Sequence, residues 1–328
     1  MIAIEITEVG GGPDVLKPVE MPIPVPGPEE VLVHVRAAGI NYGDVGQRRG
    51  IYPAPKGVTP IPGLEVAGTV AAKGAGVSRW KEGDAVCGLV AGGGYAEYCL
   101  VPAAQCLPIP EGLSFVQAAG LIEAYATVWS NVWQRGRLAK GETLLVQGGS
   151  SGIGTAAIQV ATALGNPVIA TAGSEEKCRF CKDLGVLRAI NYKTEDFVEA
   201  CRAATEGRGA DVILDIVGAP YLERNLKALA DDGRLVLVGQ IQKGPAEFNI
   251  REVMFRRLTV TGSTLRARPT AVKAALLAEV EAVVWPLIGA GKIRPIVHAT
   301  FPLTAASAAH AFMETGQHMG KLVLTCES

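Results

Sequence analysis

The stretch Leu144-Leu145-Val146-Gln147-Gly148-Gly149-Ser150-Ser151-Gly152-Ile153-Gly154 constrains this chain more than any other segment. It reads as a buried strand, a glycine-rich turn and the opening of a helix, whose apolar face continues through Ile153, Ala157, Val160 and Leu164. Such a turn suits a pyrophosphate. Small residues let backbone N–H groups approach the ligand, and the helix N-terminus offers unpaired donors and a favourable dipole. Aligned on a GxGxxG pattern, Gly149 and Gly154 fit, while Ser151 stands in place of the middle glycine. The contacts expected to the cofactor here are Gly149, Ser151, Gly152 and Ile153.

The rhythm around this turn predicts an α/β fold. From residue 143, strands at 143–148, 167–173, 188–191, 211–217, 233–239 and 258–262 alternate with helices at 152–164, 175–184, 194–205 and 221–230. That alternation predicts a doubly wound parallel sheet, which binds ligands at the carboxyl ends of its strands. Before it, Val31, Val33 and Val35 alternate with Leu32, His34 and Arg36, and short apolar runs are punctuated by Gly63, Gly83 and Gly92-Gly93-Gly94. These predict a small β-domain of barrel type. The tail, with a helix at 269–287 and strands at 295–301 and 321–324, is expected to rejoin that first domain. The expected division is 1–123, 124–264 and 265–328. The 40 glycines in 328 residues exceed the usual ~7% and match a chain needing many tight turns.

Two other readings of the turn fail on neighbouring residues. Gly148-x-Ser150-x-Gly152 spells a hydrolase nucleophile elbow, with Asp215 and His298 or His310 as the available partners. That reading leaves Gly154 and the β-domain unexplained, and no histidine-glycine oxyanion stretch lies upstream. The glycine spacing also fits a short-chain dehydrogenase, which needs Tyr-x-x-x-Lys on a downstream helix. The pair Tyr52 and Lys56 lies upstream and encloses Pro53 and Pro55, so it cannot be helical.

The tip of the second strand selects the cofactor. An NAD enzyme usually places an acidic side chain there to hold the ribose 2′-hydroxyl. Here the residues are Ala172-Gly173-Ser174, followed by Glu175, Glu176 and Lys177. Gly173 leaves space, Ser174 can donate, Lys177 brings positive charge, and Tyr192 after the third strand can cover a 2′-phosphate. The expectation is NADPH. The plainer account makes Ser174 a helix cap and Lys177 a solvated lysine.

The 31 basic and 32 acidic side chains leave a net charge of -1, which speaks against nucleic acid as a main partner. Seven cysteines form no disulfide framework, and Cys178 and Cys181 share one face of a predicted helix, as core residues do. With no apolar run of transmembrane length and no leader-like N-terminus, a cytoplasmic protein without a membrane partner is expected.

Together the motifs Gly39-Ile40-Asn41-Tyr42-Gly43-Asp44, Gly50-Ile51-Tyr52-Pro53, Pro62-Gly63-Leu64-Glu65, Gly94-Tyr95-Ala96-Glu97-Tyr98, the turn at 148–154 and the ending His318-Met319-Gly320-Lys321 run the length of the chain. On them the chain resembles the zeta-crystallin-like NADPH:quinone oxidoreductases, the zinc-free branch of the medium-chain dehydrogenase/reductase superfamily. The resemblance implies a groES-like β-barrel domain for substrate and a Rossmann domain for NADPH. Zinc-containing relatives carry cysteine at the Asn41 position and histidine at the Leu64 position, so no metal is expected. Without a Lewis acid the acceptor must already be electron-poor, a quinone or an α,β-unsaturated carbonyl. The resemblance implies catalytic roles for Asn41, Asp44 and Tyr52, the last as proton donor or as a lid that stacks on the acceptor. Asn41, Thr127, Val238, Gly239, Ser263, Thr264, Leu265 and Lys321 are implied as further cofactor contacts, and residues 258–262 as the seam of a homodimer. A trans-enoyl thioester reductase, with Arg48, Arg49 and Lys56 as a basic strip, and a non-catalytic NADPH-binding or RNA-binding protein remain the alternatives.

Overall fold

The computed structural model describes residues 1–239 and 244–326. In chain order, a hairpin of β1 (Ile2–Ile6) and β2 (Leu16–Glu20) precedes the long β3 (Glu30–Ile40) and helix α1 (Tyr42–Arg48). Strands β4 (Glu65–Lys73), β5 (Ala85–Leu89), β6 (Tyr98–Pro102) and β7 (Cys106–Pro108) follow, then helices α2 (Phe115–Ala119) and α3 (Ile122–Val128). The alternation read in β3 holds in part: Val31, Val33 and Val35 are fully buried and His34 is half-buried, stacking on Tyr98 at 4.8 Å, whereas Leu32 is buried as well. Helix α1 is absent from the sequence reading because Gly43 and Gly46 look like turn residues. It forms because the Asp44 carboxylate accepts the Asn41 N–H at its head, at 2.8 Å. Its glycines make a seat: a Cβ on Gly46 would lie 3.0 Å from the Tyr52 Cβ, and one on Gly43 3.4 Å from the Tyr52 ring.

After a π-helical stretch, Trp129–Arg135, come β8 (Leu144–Val146), α4 (Gly152–Ala163), β9 (Val168–Ala172), α5 (Glu175–Asp183), β10 (Arg188–Asn191) and α6 (Phe197–Ala204). Next are β11 (Ala210–Asp215), α7 (Leu222–Ala228), β12 (Leu229–Leu237), α8 (Ile250–Phe255) and β13 (Thr259–Gly262). These strands pair in parallel in the order β10-β9-β8-β11-β12-β13. The order reverses at β8, which puts the glycine-rich turn at the switch point of a doubly wound sheet.

The tail supplies α9 (Thr270–Gly289), β14 (Val297–Pro302), α10 (Ala306–Glu314) and β15 (Lys321–Thr325). Strand β15 pairs antiparallel with β3, extending a sheet of order β14-β15-β3-β4-β5-β7, with β6 also on β3. Two compact units result. One comprises Met1–Ala124, Leu265–Gly289 and Pro295–Ser328, and the other Tyr125–Thr264 and Ala290–Arg294. Among the described residues, no helix is long and apolar enough to cross a membrane.

Candidate functional site

In the parallel-sheet unit the glycine-rich turn has the backbone the sequence required. Gly148 has φ +75°, where side chains are strained. A Cβ on Gly154 would lie 2.6 Å from the Gly149 carbonyl oxygen and closer still to that of Gly148. Ser151 explains its own departure from the glycine pattern: its hydroxyl donates to Gly148 O at 2.8 Å and accepts the Gly154 N–H at 2.9 Å, capping α4. Among the described residues, the N–H groups of Gly152 and Ile153 have no internal acceptor, which leaves two donors at a positive helix end. A buried chain below the turn fixes it. Gly148 N–H donates to Thr171, Thr171 to Gln147, Gln147 to Asn225 and Asn225 to Asp215, at 2.7 to 3.1 Å. Burial pushes the Asp215 carboxyl up to about 6. Because Asp215 is committed to Asn225, Val217 and Gly218, it is not free to serve a Ser150 nucleophile.

At the tip of β9, Gly173 leaves room for Tyr192: a Cβ there would lie 2.7 Å from the tyrosine hydroxyl. Ser174 caps α5 by accepting the Lys177 N–H at 3.2 Å, and its own hydroxyl proton stays available. Glu175 accepts from Asn191 at 2.7 Å and is held there. Cys178 and Cys181 are buried on α5 with thiols pushed up by burial, as packing residues are. In the same unit, Asn131 of the π-helical stretch donates to the Thr127 carbonyl and accepts from the Ser263 hydroxyl, both at 2.8 Å. Two expected contact residues are thus joined by one the sequence did not single out. Val238 follows β12 with its N–H on Asp215 O, Gly239 lies near Ile216, and Thr264 is exposed while Leu265 is buried.

In the barrel unit, Asn41, Asp44, Tyr52 and Lys321 converge on a buried ionic network. The Lys321 ammonium donates to Glu65 at 2.6 Å, Asn41 Oδ1 at 2.6 Å and Ile40 O at 2.9 Å. Asn41 Nδ2 donates to Glu65 Oε1 at 2.9 Å, and Glu65 Oε2 accepts the Glu123 N–H at 2.9 Å. Asp44 has no exposed surface; it accepts from Gly63 N–H, Asn41 N–H and the Tyr95 hydroxyl at 2.8 to 3.2 Å. Its oxygens are thus engaged behind Asn41. Burial raises Asp44 to about 6 against the opposing pull of those N–H groups, Lys321 and Arg266. Arg266 pins the Tyr52 loop, donating to Ala91 O at 2.6 Å, Tyr52 O at 3.0 Å and Gln47 at 2.6 Å, with its guanidinium 5.5 Å from the Tyr52 ring. Burial and the Glu123 charge raise the Tyr52 phenol, so it stays protonated at neutral pH. Glu65, Glu123, Gln47 and Arg266 escaped the sequence reading; a lone glutamate heading the apolar run Val66-Ala67-Gly68 was the available signal.

Burial first, then Glu65, pushes Glu123 up to about 8. At pH values between the ordinary 4.5 and about 8 the folded chain holds a proton that the unfolded chain has released, so this group's contribution to stability falls as pH rises through that window. Glu123→Gln is expected to remove that decline. In thermal melts at pH 5, 7 and 9, the variant should gain on the parent with rising pH and level off above 8; a constant difference would contradict the proton on Glu123.

Residues 27–111 match the alcohol dehydrogenase GroES-like domain family, and residues 152–282 the zinc-binding dehydrogenase family. The quinone oxidoreductase of Rattus norvegicus is 32% identical over 327 residues, covering 99% of this chain and 97% of the rat protein. The Escherichia coli quinone oxidoreductase, solved in complex with NADPH, superposes with a TM-score of 0.89 at 31% identity, covering 99% of this chain and all of that one. The CurK enoyl reductase superposes with a TM-score of 0.87 at 28% identity over 99% of both chains.

Proposed function

The chain belongs to the quinone oxidoreductase family of the medium-chain dehydrogenase/reductase superfamily, and on that premise we propose that it is an NADPH-dependent, zinc-independent reductase of quinones or related α,β-unsaturated carbonyls. The observation that carries this reading is the cradle at 148–154: two free N–H donors on Gly152 and Ile153, beneath glycines with no room for a Cβ. A pyrophosphate fits those donors. Gly149 and Ser151 shape the cradle. Ser174, Lys177 and Tyr192 would hold a 2′-phosphate, with Glu175 turned onto Asn191 and so kept from repelling it. Thr127, Val238, Gly239, Ser263 and Thr264 of the parallel-sheet unit would line the nicotinamide half of the cofactor, and the resemblance names Leu265, Asn41 and Lys321 as further contacts. NADPH, when bound, supplies the hydride.

The chain's own residues then handle charge and proton. Hydride transfer would leave negative charge on the acceptor oxygen, and the Tyr52 phenol, protonated at neutral pH, would give it a proton. The seat on Gly43 and Gly46 and the Arg266 clamp hold that ring. The zinc-independent reading is supported by how the donors are spent: Asn41 and Glu65 already hold the Lys321 ammonium, and Leu64 is a buried apolar side chain. Strand β13 lies at the sheet edge with Val260 partly exposed, which supports a homodimer paired there.

Initial rates with NADPH and NADH against a panel of quinones and enones test the reading. NADPH is expected to be preferred, Lys177→Glu to erase the preference, and Tyr52→Phe to lower kcat about 100-fold or more with NADPH affinity unchanged. Equal use of NADH by the parent would overturn the cofactor assignment, and an unchanged kcat would reduce Tyr52 to a lid. Likeness to the CurK enoyl reductase favours a second reading, an enoyl thioester acceptor. The basic strip that it needs is depleted: Arg48 is buried and Arg49 shares its Glu314 partner, leaving Lys56 exposed.

A further inference from the structure

A line of buried polar groups runs from α10 to the head of α1. Glu314 accepts from Arg48 Nη2 at 2.7 Å and also pairs with Arg49. Arg48 Nη1 lies 3.3 Å from His310 Nδ1, His310 Nε2 lies 3.0 Å from the Tyr95 hydroxyl, and that hydroxyl donates to Asp44 Oδ2 at 3.2 Å. Arg48 is 1% exposed, and His310, Tyr95 and Asp44 have no exposed surface. None of them is reached by the chemistry proposed above except Asp44, through Asn41.

The direction of every bond follows from donor chemistry. A guanidinium only donates, so His310 Nδ1 carries a lone pair and the ring proton sits on Nε2. That proton points at the Tyr95 oxygen, which obliges the phenol to turn its own proton to Asp44. With the opposite tautomer, Tyr95 would donate to the imidazole and Asp44 Oδ2 would lose a donor. Burial and the Arg48 charge hold His310 neutral, down at about 3, so the line has one polarity over the whole useful pH range.

We propose that Arg48, His310 and Tyr95 are positioning residues that keep Asp44 ionised and thereby fix Asn41 at the head of α1 for the cofactor. The proposal rests on the NADPH reading above. The other charges acting on Asp44 come from Lys321 on β15, Arg266 after β13 and Glu123 on α3. Tyr95 feels Asp44, Glu65 on β4 and Arg48, and Tyr52 also feels Asp44. Removing a donor from the carboxylate should raise the pH at which it protonates.

The test is NADPH affinity, read by cofactor fluorescence from pH 5 to 8.5, in the parent, Tyr95→Phe, His310→Leu and His310→Gln. Glutamine can accept from Arg48 through Oε1 and donate to Tyr95 through Nε2. In the parent, affinity is expected to fall below about pH 6. The midpoint should rise by about one unit in Tyr95→Phe, which deletes the donor to Asp44, rise by less in His310→Leu, where the phenol keeps its proton but loses the ring that holds it, stay near the parent in His310→Gln, and affinities should agree within about twofold at pH 8.5. Equal midpoints in the parent and Tyr95→Phe would overturn the proposal, as would a midpoint in His310→Gln raised as far as in Tyr95→Phe. If the parent binds no NADPH, the cofactor reading fails on its own. The same ordering is then sought in the pH dependence of thermal unfolding without cofactor, where identical profiles overturn the relay.

Discussion

Gly154→Ala is expected to weaken NADPH binding at least about a hundredfold, a loss of about 3 kcal/mol. The added methyl would meet backbone, with the Gly149 carbonyl oxygen at 2.6 Å and the Gly148 carbonyl oxygen nearer. Backbone at the switch point cannot swing aside as a long side chain can, so the first turn of α4 has to move out. That motion carries the Gly152 and Ile153 N–H groups away from where the pyrophosphate would rest and strips Ser151 of its Gly154 donor. Fluorescence titration with NADPH measures the loss, and far-ultraviolet circular dichroism separates it from unfolding, since α4 remains helical. Ser151→Gly serves as the contrast: it removes one cap at a cost of only about a few tenths of a kcal/mol, without crowding the turn. Binding by Gly154→Ala within about threefold of the parent would disconnect this turn from the cofactor.

Lys321→Met should cost about 3–5 kcal/mol of stability, because it leaves Glu65 buried without its cation. Lys321 is 5% exposed and Glu65 not at all. The three ammonium protons meet three acceptors, Ile40 O, Asn41 Oδ1 and Glu65 Oε1. The loss would appear as a lower midpoint in urea and, because Asn41 is released, as weaker NADPH binding. Lys321→Met combined with Glu65→Gln should recover much of the stability, since the second change removes the stranded charge. A single variant as stable as its parent, or a double variant worse than the sum of its parts, would contradict the pairing.

What the sequence made legible was whatever one short window can encode. The alternation of buried strands and amphipathic helices from β8 to β13 appears in consecutive residues, and the reading differs from the structure by a few residues at element ends and by the short helix α8, which it lacks. The glycine-rich turn was legible for the same reason, since its constraint is steric and local. Helix α1 was not, because its glycines answer to Tyr52 rather than to the helix. The π-helical stretch was hidden too: its widened closing bond, Gly136 N–H to Asn131 O at 2.8 Å, leaves no periodic trace. The ionic network was hidden most completely. The resemblance pointed to Asn41, Asp44 and Lys321, but their partners at 65, 95 and 123 are far off along the first segment, and those at 266 and 310 arrive with the return of the chain onto β3. A lone charge in an apolar run marks such a member, without identifying its partner.

Arg266 ties three places far apart in the chain, Gln47, Tyr52 and Ala91, with one side chain. The loop that would meet the acceptor is therefore inherited jointly with the segment after β13. Grafting residues 50–62 from a relative of different acceptor preference should transfer that preference only when positions 47 and 266 travel with the graft. Substrate range in this scaffold would then drift in linked steps, at sites that no acceptor touches.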